Sequence, residues 1–91
     1  MTADEVRAMQ AEKIRKELVI ESIAIWETRI KERAECGCHY VHEWWGDMTC
    51  NYKHPIPHLT DDEKEEVIKD FKAKGFSVSE PRGKRSLRIA W

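Results

Sequence analysis

The sequence predicts an α+β fold of order α-β-β-α-β-β: one antiparallel four-stranded sheet, helices on one of its faces, and a long N-terminal helix. Three observations carry that prediction. Residues 2–34 keep a helical period without a single Pro or Gly. Residues 60–74 form a second helical run between Thr60 and Gly75. The stretches 38–54 and 76–91 alternate at period two around short turns, as hairpins do. At 91 residues the chain is one domain, 1–91.

The first helix opens on Thr2 and Glu5, the two ends of a capping box. Val19, Ile23, Trp26, Ile30 and Ala34 share a stripe about 80° wide, which is the expected core face. Ile14, Leu18 and Ile25 form a second stripe, nearly opposite. A helix that only roofs a sheet needs one apolar face, so the second stripe points to a second partner. Length argues the same way, because such a rod is about 50 Å long, whereas a globule of this size has a radius of gyration of about 12 Å. Small domains gain stability by association. A homo-oligomer built through Ile14, Leu18 and Ile25 is therefore expected.

In the first hairpin, 38–54, Gly46-Asp47 is a two-residue loop of the Gly-X kind. That loop sets Trp45 against Met48, Glu43 against Cys50, Val41 against Tyr52 and His39 against His54. Trp44 and Trp45 are adjacent on a strand and must face opposite sides. Trp44 shares its side with Tyr40, His42 and Lys53 and is expected outside. Trp44, Tyr40 and Lys53 thus form a candidate partner-binding patch with an aromatic anchor. Trp26 and Trp91 sit in periodic stripes and read as packing.

Pro55 and Pro57 keep the connection to the second helix extended. That helix has its own capping box, Thr60 with Glu63, and a buried stripe of Val67, Ile68 and Phe71. Gly75 fits the C′ position, with Phe76 as its hydrophobic clasp. The last hairpin, 76–91, turns at Pro81-Arg82-Gly83-Lys84.

Composition narrows the function. Sixteen Lys and Arg balance 17 Asp and Glu, a net charge of −1, which excludes a polycation that coats nucleic acid. Local charge is uneven, since residues 72–91 carry six basic side chains against Glu80 alone. Arg82, Lys84 and Arg85 form a compact basic turn suited to an anionic ligand. The opening Met1-Thr2-Ala3-Asp4-Glu5 is not a secretory signal, and no apolar run spans a bilayer, so a cytoplasmic protein off the membrane is expected. Three cysteines, an odd count, fit free thiols in a reducing compartment.

Cys36, Cys38, His54 and His58 offer the thiolate and imidazole donors that zinc prefers. Their spacing departs from that of a Cys2His2 finger, because one residue separates the cysteines and Pro55 and Pro57 bar a helix at the histidines. No cofactor is expected, with zinc as the alternative. No nucleophile–base–orienter set is present, so the chain is read as non-enzymatic.

The last third, 59–91, resembles short uncharacterised bacteriophage accessory proteins. The likeness rests on the capped acidic helix Thr60–Lys74, the strand entry Lys74-Gly75-Phe76-Ser77-Val78 and the ending Ile89-Ala90-Trp91. It implies a viral protein in the host cytoplasm that inhibits or sequesters a host protein. The expected function is thus a small binding protein. A binder of an anionic nucleotide or nucleic acid is the runner-up, and a zinc-stabilised module stands behind it.

Overall fold

The computed structural model describes residues 1–46 and 56–91. Helix α1, Ala3–Glu35, is the 33-residue rod that the unbroken period predicts. Its capping box is complete: Glu5 N–H donates to Thr2 Oγ1 at 3.2 Å and Thr2 N–H donates to a Glu5 carboxylate oxygen at 3.3 Å. At the other end, Cys38 N–H donates to Arg33 O and Gly37 N–H to Ala34 O. This Schellman closure needs a left-handed residue at C′, and Gly37 has φ +84°. The Cys-Gly-Cys run is thereby explained locally, as the end of a helix.

Strand β1 is Tyr40–Trp44, helix α2 is Asp61–Ala73, and strands β2, β3 and β4 are Ser77–Ser79, Pro81–Lys84 and Ser86–Ala90. The expected four-stranded sheet is corrected: the sheet has three strands in the order β1-β4-β2. β4 is central, paired antiparallel with β1 from Tyr40↔Ala90 to Trp44↔Ser86 and with β2 from Ser77↔Ala90 to Ser79↔Arg88. Leu87 and Ile89 are both fully buried, so β4 gains most from neighbours on both edges. Pro81 has no N–H to give a ladder, which ends β2 after three residues. The α1 closure occupies Cys38, so β1 begins at Tyr40 rather than residue 38. The expected return strand of the first hairpin, 48–54, and its cross-strand register lie outside the described residues.

Both helices pack on one face of this sheet. Val41, Leu87 and Ile89 meet Trp26 of α1 and Val67, Ile68 and Phe71 of α2 in one core. Trp45 joins them with its ring edge-on to Trp26, centroids 5.6 Å apart. The connection between sheet and α2 contributes too: Ile56 and Leu59 are buried, and Ile56 O accepts from Gly46 N–H at 2.8 Å. Trp91, expected in the core, is instead a rim residue, 40% exposed and edge-on to Phe76 at 6.5 Å. Its strand ends at Ala90, one residue before it.

The buried face of α1 is centred on Val19, Ser22, Trp26 and Arg29. Leu18 and Ile25 flank it on one side and Ile23 and Ile30 on the other, all partly buried against the core. The two apolar stripes are the margins of one wide face, split in the sequence by the polar Ser22 and Arg29. Leu18 and Ile25 are therefore committed in part to the core, while Ile14 remains 58% exposed and Ala34 lies in the open. Residues 3–14 are exposed throughout, and the described chain extends 53 Å along its longest axis.

Helix α2 is capped as predicted, with Thr60 and Glu63 exchanging hydrogen bonds. At its other end Phe76 N–H donates to Phe71 O at 3.1 Å, and the two rings meet edge-on at 5.7 Å. Lys74 joins the helices, its Nζ 2.6 Å from both Glu27 and Asp70. Arg15 makes a second joint, with Nε donating to Glu63 at 2.8 Å and Nη2 to the other carboxylate oxygen. The Arg15 guanidinium, helped by the Thr60 N–H and hydroxyl, lowers the Glu63 carboxyl to about 2 from 4.5 against the opposing pull of desolvation.

A group lowered on folding stabilises fully above its unfolded value and loses that contribution as pH falls through the folded one. The contribution of Glu63 is thus complete above pH 4.5 and drains toward pH 2. Glu63→Gln is expected to cost about 1–2 kcal/mol at pH 7, discounted for the half-exposed Arg15. Urea titrations should show the gap between variant and wild type narrowing by more than half at pH 3. Parallel stability profiles across that range would remove Glu63 as the acid-sensitive joint.

Candidate functional site

Strand alternation divides the sheet into two chemically different faces. Val41, Glu43, Val78, Leu87 and Ile89 turn toward the helices. Tyr40, His42 and Trp44 of β1, Ser86, Arg88 and Ala90 of β4, and Ser77 and Ser79 of β2 occupy the other face. Among the described residues no helix lies over that second face. Tyr40 is 50% exposed and Trp44 42%, both high values for large rings.

Antiparallel pairing of β1 with β4 builds the site. It sets Arg88 opposite His42, and the guanidinium lies over the Tyr40 ring, 4.6 Å from its centroid. A His42 ring nitrogen lies 2.9 Å from Ser86 Oγ, and Ser86 is buried beneath it. The His42 and Trp44 rings are tilted by 35° with centroids 6.1 Å apart. Trp45 N–H donates to Arg85 O at 3.0 Å, which places Arg85 at the Trp44 end of the row. None of the eight strand positions on this face is Asp or Glu, although the chain has 17 acids. No ion pair among the described residues involves Arg82, Arg85 or Arg88. A hollow of about 260 Å³ lined by Arg33, Cys38, Tyr40, Val41 and His42 adjoins the face at β1.

The sequence-predicted residues divide as follows. Trp44 and Tyr40 lie together on the open face, and Trp45 is in the core, as alternation requires. Lys53 lies outside the described residues. The basic trio is separated: Lys84 lies 3.8 Å from Glu65 of α2, and its carbonyl accepts from Lys64 Nζ. Arg82 and Arg85 stay exposed beside β4.

The proposed zinc set is not assembled by the described residues. His54 lies outside them. The ladder between His39, whose carbonyl accepts from Trp91, and Trp45 covers six residue steps, about 20 Å. Cys36 and Cys38 precede it, whereas the His58 ring rests against Gly46 beyond its far end. Ligands 2.0–2.3 Å from one ion cannot bridge that separation.

Arg88 and His42 are the site members that the basic-turn and anchor readings passed over. Their signal is the alternation of 40, 42 and 44 with 86, 88 and 90, which becomes a site only when the two stretches pair. No protein-family model, curated protein or solved structure matches the chain. No helix is long and apolar enough to cross a membrane among the described residues.

Proposed function

We propose that this chain is a non-catalytic binding module that holds an anionic, ring-bearing ligand, a nucleotide or nucleic acid, on the open face of its sheet. The observation that supports this reading is that the described strand positions of this face carry no acid, while exposed Tyr40 and Trp44 flank Arg88. An aromatic ring under a base contributes about 1–3 kcal/mol by stacking. A guanidinium supplies forked donors to phosphate and a planar surface of its own. In a chain with 17 Asp and Glu, eight described strand positions without a carboxylate leave Arg88 free of local repulsion toward an anion.

A second reading, an inhibitory or sequestering contact with a host protein, is favoured by Trp44, whose exposed ring beside a rigid strand has the character of an interface anchor. Salt separates the two, because phosphate contacts weaken steeply as salt rises.

Fluorescence titration with a labelled oligonucleotide at low salt tests the proposal. Trp44→Ala is expected to weaken binding about tenfold and to shift folding stability by less than about 1 kcal/mol, as surface changes do. Arg88→Gln should weaken binding and flatten its salt dependence. Absence of any binding at high micromolar oligonucleotide, with folded protein, would sink the nucleotide reading.

A further inference from the structure

Tyr40, His42 and Trp44 stand at i, i+2 and i+4 of one strand. Only an extended strand puts such a triplet on one side. At about 3.3 Å per residue the attachment points are about 6.6 Å apart, and the ends of the row about 13 Å. The His42 and Trp44 rings keep that spacing, with centroids 6.1 Å apart. One cation lies on the same row: Arg88 is opposite His42, with its guanidinium over the Tyr40 ring.

From this spacing, and resting on the nucleotide reading above, we infer that the ligand is single-stranded nucleic acid, held as three successive unstacked nucleotides along β1, with bases on Tyr40, His42 and Trp44 and a phosphate on Arg88. A duplex advances about 3.4 Å per nucleotide along each strand, with its bases locked in the stack. Rings 6.1 Å apart ask for nearly twice that step, which only an opened strand provides. Width argues likewise. A major groove about 12 Å across admits a helix or a two-stranded ribbon, not a three-stranded sheet backed by two helices. A mononucleotide reaches one ring and one guanidinium and leaves most of the row unused.

The ring spacing also fixes a length dependence. The probes are 5′-fluorescein oligouridylates and oligothymidylates of two, three, four and six nucleotides, uridine monophosphate as competitor, and a six-base-pair hairpin duplex. Affinity should rise about tenfold per nucleotide up to three, then flatten, with the duplex at least tenfold weaker than the six-nucleotide strand. Tyr40→Ala and Trp44→Ala should each move the plateau from three nucleotides to two, and a melting curve confirms that each variant is folded. Arg88→Gln is the second probe, lowering affinity at every length and preserving the plateau.

Uridine monophosphate competing as well as the trimer would overturn this inference and leave the nucleotide reading standing. Equal binding of duplex and single strand would do the same. Binding of no probe would overturn both.

Discussion

Trp26→Ala is expected to leave the protein unfolded, or close to its unfolding midpoint, at 25 °C. Trp26 is fully buried where α1 crosses the sheet, and its ring meets Trp45 edge-on at 5.6 Å. Truncating a buried Trp costs about 3–5 kcal/mol through lost transfer energy and the cavity left behind. The aromatic pair adds about 0.5–1.5 kcal/mol. A chain of 91 residues has about 5–14 kcal/mol of total stability, and one with a small core belongs at the lower end. No partner is found for the Trp26 indole N–H among the described residues. Trp26→Phe therefore gives up volume without breaking a hydrogen bond there, and it should stay folded. Circular dichroism during denaturation separates the two variants. A shift below about 1 kcal/mol for Trp26→Ala would mean that α1 is not held to the sheet through this residue.

What was legible in the sequence follows the range of each interaction. The caps at Thr2 with Glu5 and Thr60 with Glu63, and the closure at Gly75, are decided within six residues and appear as predicted. Trp45 inside and Trp44 outside follows from alternation, which is also local. Strand pairing is not local. A turn marks two strands as neighbours in sequence, but nothing near Tyr40 or Ala90 announces that they are partners. The site inherits that limit, because Arg88 reaches Tyr40 only through the pairing. The width of the α1 face was hidden differently. Apolar periodicity counts Ser22 and Arg29 as solvent positions, and Arg29 is buried because Glu43 arrives from β1. Pro55 and Pro57 exclude a helix but say nothing of burial, so Ile56 and Leu59 entered the core unannounced.

That buried charge carries the second large effect. Arg29→Met is expected to cost about 3 kcal/mol, and adding Glu43→Leu to it should recover most of the loss. Arg29 Nη1 lies 3.6 Å from Glu43, with the two side chains 5% and 12% exposed. Glu43 pairs with Leu87 in register and is flanked on the same face by Val41 and Trp45. Without Arg29, its remaining ion-pair partner among the described residues is Arg33, 3.9 Å away and half-exposed. Removing one member of a buried pair costs about 3–5 kcal/mol, because the other charge stays desolvated. Arg33 offsets part of this, which sets the figure at the lower end. Replacing both members with apolar side chains of similar volume is often neutral or stabilising, since neither charge then has to leave water. Arg33→Met should cost under about 1 kcal/mol, as exposed pairs do. A double-mutant cycle in urea reads the coupling directly. A double variant as unstable as Arg29→Met alone would show that the guanidinium holds α1 to β1 by its shape and hydrogen bonds, and not by answering the Glu43 charge.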